Sequence, residues 1–219
     1  MPYVSHMTDL EAPAVCPTCL KPLSLCVCEG LTPVDNKLGV LILQHPQEQD
    51  VDLGTARLTA LHLKNAVLKV GLSWPNIGKA LGKNADPKKW AVLYLGSANA
   101  AAAAPGQPVV LVDKKGNALG NQDALHEVEG IIVLDGTWSQ AKAIWWRNAW
   151  LLKCRRVILG PTKPSKYGRL RKEPRRDGLS TIESVAMLLG YLEGKPEIET
   201  ALVGGFEKML TKYKAVKGI

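Results

Sequence analysis

No apolar run in this chain reaches the ~20 residues that a helical membrane span requires. Its first residues, MPYVSHMTDLEAP, lack the basic-then-apolar order of a secretory leader. A cytoplasmic protein is therefore expected. Three well-known signatures are missing too: there is no P-loop, no nucleophile elbow and no G-x-G-x-x-G. Their absence argues against nucleotide hydrolysis, serine-hydrolase chemistry and, with less force, dinucleotide binding. Aromatic residues are scarce at 5%, yet Trp138, Trp145 and Trp146 lie close together, with Trp150 just behind. Acids are outnumbered, 20 against 28 Lys and Arg, for a formal net charge of +8. Such a balance favours a polyanionic partner, nucleic acid first, over a merely solvated basic face only if a basic patch can be found.

What is present starts with length. A chain of 219 residues, 46% hydrophobic, can build one main domain with a small appendage. Residues 1–15 carry no pattern and read as a loose tail. Four of the five cysteines then follow in the spacing Cys16-x2-Cys19-x6-Cys26-x-Cys28, with Cys154 alone. In a reducing compartment such a cluster binds metal more readily than it forms disulfides. Four thiolates suit tetrahedral Zn²⁺ and leave no open coordination position, so the role is structural. Residues 16–32 are thus expected to form a zinc module, the rival reading being a redox pair or surface thiols, and residues 33–219 the main domain.

The main domain reads as alternating strands and helices, which argues for α/β with a mostly parallel sheet. Strands are expected over 38–43, 67–72, 90–95, 109–112, 131–134 and 155–159. Helices are expected over 56–64 capped by Thr55, over 77–81, from Ser180 onward, and over 198–214. Ser180 and Glu183 have the spacing of a capping box. Ile182, Val185, Ala186 and Leu189 share one face of the helix they open. Leu202, Phe206, Met209 and Leu210 do the same in the last helix, whose middle is weakened by Gly204 and Gly205. The alanine run 98–104 is left without a form.

The segment 131–146, IIVLDGTWSQAKAIWW, organises the rest. A short apolar strand breaks at Asp135-Gly136, and Trp138, Ala141, Trp145, Ala149 and Leu152 follow at helical spacing on one face. In open α/β sheets, ligands sit outside the carboxyl ends of the strands. Asp135 there is either a general base or a cap for the helix, and position alone favours the cap. His45 before Pro46 is more readily structural than catalytic. Trp138 suits the core by its periodicity, or the wall of an adenine site. The loop 163–176 carries Lys163, Lys166, Arg169, Arg171, Lys172, Arg175 and Arg176 against one acid, Glu173. It can follow phosphates, with Tyr167 stacking on a base; the rival reading is a solvated loop.

Taken in order, these landmarks resemble the DTW-domain family. The signature Asp135-Gly136-Thr137-Trp138 stands within LDGTWSQAK, preceded by the Cys cluster, LQHPQE at 43–48 and Leu95-Gly96, and followed by LSTIES at 179–184. The resemblance covers nearly everything from Cys16 onward. It implies a tRNA-uridine aminocarboxypropyltransferase. Such an enzyme moves the 3-amino-3-carboxypropyl group of S-adenosylmethionine (SAM) to N3 of a tRNA uridine, in bacterial relatives at variable-loop position 47. It also implies a SPOUT-like, knotted α/β domain. The cofactor loops it implies are Gln44 and His45, Leu134 to Trp138 (with Asp135, Gly136 and Thr137), Leu159, and Leu179, Ser180 and Thr181. Asp135 would take the uridine proton. Lys21 replaces an expected Arg in the Cys motif, and does not touch those loops. The competing functions are a SAM-dependent RNA methyltransferase and a zinc-containing RNA-binding module without chemistry.

Overall fold

The computed structural model describes residues 14–93, 108–160, 164–170 and 178–219. Its centre is a six-stranded sheet made of β1 (Gly39–Gln44), β2 (Ala66–Val70), β3 (Trp90–Leu93), β4 (Val109–Val112), β5 (Gly130–Asp135) and β6 (Arg155–Leu159). The strand order is β2-β1-β5-β3-β6-β4. Every pairing is parallel except that of β4 with β6, which is antiparallel. The adjacent inner strands β1 and β5 are buried at every position. That is why both read as unbroken apolar runs rather than as alternating patterns.

Among the described residues, five α-helices cover the sheet: α1 (Ala56–Leu61), α2 (Ile77–Leu81), α3 (Trp138–Arg147), α4 (Thr181–Glu193) and α5 (Pro196–Lys217). Successive strand residues point to opposite faces, so the sheet feeds two cores. Val40, Ile42, Ile131 and Val133 pack with residues of α1, α4 and α5. Leu41, Leu43, Ile132 and Leu134 pack with residues of α2 and α3. The result is a three-layer α/β/α arrangement with all five parallel strands ending on the same edge. The expected strands and helices are present with shifted ends; the alanine run and Leu95-Gly96 lie outside the described residues.

Three local expectations are corrected. Thr55 does not cap α1 through its side chain; its Oγ1 instead accepts the N–H of Ile182 at 3.3 Å. α1 also ends at Leu61, short of residue 64. The face expected for α3 is the buried one only in part, through Ala141 and half-buried Trp145. Ala141, Ile144, Asn148 and Leu151 face the core, while Trp138, Ala149 and Leu152 are exposed. Beyond the helix, at Ala149 and Leu152, Asn148 is the cause. It is wholly buried, and its amide donates to Ile144 O at 2.7 Å and Leu72 O at 2.9 Å. Its Oδ1 accepts from Trp74 N at 2.8 Å and Trp150 Nε1 at 3.2 Å. These bonds stop the helix and restart the chain as a 3-10 turn over Ala149–Lys153, so a period extended through position 148 loses phase.

The long α5 has its glycines in the middle, as the sequence indicates. A β-carbon on Gly205 would lie 2.1 Å from His62 Nε2. His62 in turn holds Leu58 O through Nδ1 at 2.8 Å. Gly205 is therefore where the imidazole at the end of α1 meets α5 directly.

Candidate active site

The registered ends of β1 and β5 bring Gln44 opposite Asp135. Both side chains lie on the α4 side of the sheet, by the alternation that sends Ile42 and Val133 there. Gln44 Nε2 donates to Asp135 Oδ2 at 2.9 Å. Thr181 Oγ1, at the first position of α4, donates to Asp135 Oδ1. Asp135 is 8% exposed, and Gln44 and Ser180 are buried beside it. One carboxylate therefore ties two adjacent strand ends to the start of a helix. The positive end of α4 suits a carboxylate in that position.

The cap reading of Asp135 is overturned. Thr137 caps α3: its Oγ1 accepts Gln140 N at 3.4 Å, and Gln140 Oε1 accepts Thr137 N at 2.6 Å. With the cap supplied two residues on, the Asp135 carboxylate faces the strand ends instead. Gly136 makes the turn possible, since a β-carbon there would stand 2.9 Å from Gln140 Cβ. His45 donates its backbone N–H to Asp135 O at 2.9 Å, and its Nδ1 accepts Gln47 N at 3.3 Å. It shapes the turn after β1.

Of the other expected cofactor residues, Leu134 is buried under α3, and Thr137 and Trp138 open that helix on the exposed side. Leu179 and Ser180 lead into α4, whose capping box is present. Leu159 ends β6, and β3 lies between it and β5. The sequence pairing of Ser180 with Glu183 understates the acid. Buried Glu183 accepts Ser180 N at 2.9 Å, Ser165 Oγ at 2.7 Å and Lys166 N at 2.7 Å. It thus pins the described part of the basic loop to the start of α4. Two extra donors at a capping-box acid carry no signal in local spacing.

That anchoring corrects one assignment. Tyr167 is 2% exposed, its ring meets Phe206 edge-on at 4.9 Å, and its hydroxyl donates to Leu53 O at 2.6 Å. It is a core residue and has no face to offer a base. Lys166 forms an ion pair with Glu207 at 2.6 Å, which holds its ammonium above the usual lysine range. Arg169 is exposed. Lys163, Arg171, Lys172, Arg175 and Arg176 lie outside the described residues.

The four N-terminal cysteines converge, with their sulfurs all within 4.8 Å of one another and Cys16 and Cys28 at 4.0 Å. Tetrahedral Zn–S bonds of ~2.3 Å require sulfurs slightly closer than this, so the donor set fits a metal with small adjustment. Backbone N–H groups of Cys19 and Thr18 pull the Cys16 thiol down to about 6, whereas burial raises Cys19 and Cys28. Cys154 lies apart, its thiol pushed up to about 12 by burial.

Lys21 makes no hydrogen bond to the expected cofactor loops and instead holds the loop that follows β1. It is buried and donates to Asp52 O at 2.6 Å and Val51 O at 3.2 Å, in the loop between β1 and α1. Burial lowers its pKa, and Cys19, Asp52 and Asp135 oppose that shift by their charge. The Cys module is therefore tied to the loop between β1 and α1.

The DTW domain profile matches residues 13–214. The chain belongs to the DTW-domain family. Within that family it is 30% identical over 209 residues to tRNA-uridine aminocarboxypropyltransferase 2 of Drosophila melanogaster, covering 93% of this chain and 76% of that one. It is 30% identical over 198 residues to the Macaca fascicularis protein of the same name, and 28% over 190 residues to that of Mus musculus. Each of these matches covers 86% of this chain and 59% of the relative. No solved structure matches. Among the described residues of this DTW protein, no helix is long and apolar enough to cross a membrane.

Proposed function

We propose that this DTW protein transfers the 3-amino-3-carboxypropyl group of SAM to N3 of a tRNA uridine, the variable-loop uridine at position 47 by likeness to bacterial relatives. The observation that carries this reading is the Gln44–Asp135–Thr181 junction at the ends of β1 and β5, in a chain of this family. SAM supplies an electrophilic methylene activated by its sulfonium. The protein's part is to align that carbon, rather than the methyl, with the incoming nitrogen. Uridine N3 must lose its proton to attack. Asp135 has accepted two hydrogen bonds and keeps further lone pairs, so it can receive that proton. As N3 bonds to the methylene, the carbon–sulfur bond breaks and 5′-methylthioadenosine leaves. Gln44 and Thr181 fix the carboxylate's direction. His45, Leu134, Gly136, Thr137, Trp138, Leu159, Leu179 and Ser180 make up the surrounding loops.

In the same reading residues 16–32 are a zinc module supporting the 33–219 catalytic domain, and the chain path is SPOUT-like and knotted. Arg169 with Lys163, Arg171, Lys172, Arg175 and Arg176 meets tRNA phosphates, and Lys166 joins them at the rim. Incubation with SAM and total tRNA, followed by nucleoside mass spectrometry, is the test. An aminocarboxypropyl-uridine adduct is expected, and methyl-only products would defeat the reading. Asp135→Asn should lower transfer by roughly 100-fold or more with circular dichroism unchanged. Near wild-type transfer would remove Asp135 as the base.

A further inference from the structure

α3 begins three residues after Asp135 and turns a distinctive face outward. Trp138 is 39% exposed, Lys142 is exposed and Trp146 is 77% exposed. They recur at steps of four, so they follow one ridge of the helix. Lys142 Nζ lies 5.3 Å from the centroid of the Trp138 ring, a cation–π contact. The ridge therefore reads aromatic, cation, aromatic over a rise of about 12 Å.

Burial gives little reason for the tryptophan at 146, the most exposed of the three. Trp90 and Trp150 are buried, as indoles of this size ordinarily are to a large degree. An exposed tryptophan on a helix gains little from burial, and its helix propensity is below that of Lys, Gln or Glu. Charge narrows the choice of partner. α3 contains Lys142 and Arg147 but no Asp or Glu, even in its first turn, where acids favour the helix dipole. A cationic ridge with flat aromatic faces suits a polyanion that also carries stacking surfaces. Single-stranded nucleic acid has both properties.

We infer that the Trp138–Lys142–Trp146 ridge is a stacking platform for unpaired nucleotides of the RNA substrate next to the target uridine. This rests on the proposed tRNA reaction, and it moves the aromatic contact from buried Tyr167 to α3. Trp146 stacks on a base, while Lys142 and Arg147 face phosphates. Because α3 begins three residues after Asp135, a strand held on the ridge passes close to the ends of β1 and β5.

Affinity for total tRNA should be compared for wild type, Trp146→Ala, Trp146→Phe and Lys142→Ala over a salt series, with SAM affinity measured by calorimetry. Trp146→Ala should weaken tRNA binding about 10-fold, with most of the loss recovered in Trp146→Phe. SAM affinity should stay unchanged in both Trp146 variants. Lys142→Ala should lower the salt slope by about one. Wild-type tRNA affinity in Trp146→Ala overturns the platform. So does a change of oligomeric state in that variant with tRNA affinity unaltered, because the ridge is then a protein contact. A wild-type chain that neither binds nor modifies tRNA defeats the underlying reaction as well, which distinguishes the two failures.

Discussion

Tyr167 shows how one residue changes meaning once its surroundings are known. In the sequence it stands among cations, where a base-stacking role is natural. In the fold its hydroxyl satisfies Leu53 O and its ring meets Phe206. Tyr167→Phe should therefore lower stability by ~1 kcal/mol, the cost of an unpaired buried carbonyl, and leave tRNA affinity unchanged. Urea denaturation and tRNA titration read the two effects separately; an affinity loss without a stability loss would return Tyr167 to the RNA surface. Asp135 changed meaning in the opposite direction. Its position resembled a cap because an acid before Gly-Thr is well placed for one. The register that sets it against Gln44, and the helix that brings Thr181, are long-range facts absent from local spacing.

Elements were legible where one period ran uninterrupted. β1, β5, α4 and α5 followed from apolar runs and from faces such as Ile182, Val185, Ala186 and Leu189. α3 was legible only as far as Arg147, because buried Asn148 resets the phase beyond it. α5 offers a test of what local propensity misses. Its two adjacent glycines look equivalent, and alanine is worth ~1 kcal/mol over glycine in a helix. No neighbouring atom lies within 4 Å of a β-carbon at Gly204, whereas one at Gly205 runs into His62. Gly204→Ala should raise stability by about 0.5–1 kcal/mol. Gly205→Ala should lower it by about 1–3 kcal/mol, as overpacking outweighs the propensity gain. Thermal melts of the two variants shifting in the same direction would contradict this account.

Across the whole molecule, the Cys module, the central sheet and α5 are mechanically joined. Lys21 grips the loop after β1, and Lys212 of α5 donates to Cys26 O. The sequence announced the cluster, whose thiolates could hold a metal, but gave no sign that the module grips the loop after β1, since no spacing links residues 21 and 52. If zinc holds the four thiolates, removing it should loosen both contacts. A strong chelator is expected to lower the melting temperature and weaken SAM binding together, with restoration by added Zn²⁺. Metal analysis should find about one zinc per chain, as a single four-thiolate site requires. Chelation that leaves both properties intact would detach the module from the site.

The contact of His62 with Gly205 also constrains the order in which the two positions can change over generations. A larger residue at 205 is blocked while the imidazole remains, whereas a smaller residue at 62 costs its bond to Leu58 O but opens the space. Substitutions in contact are not additive, so the two routes to the same double variant are unequal. The passable route alters residue 62 first. While His62 is kept, alanine at 205 is expected to cost more than its helix propensity returns.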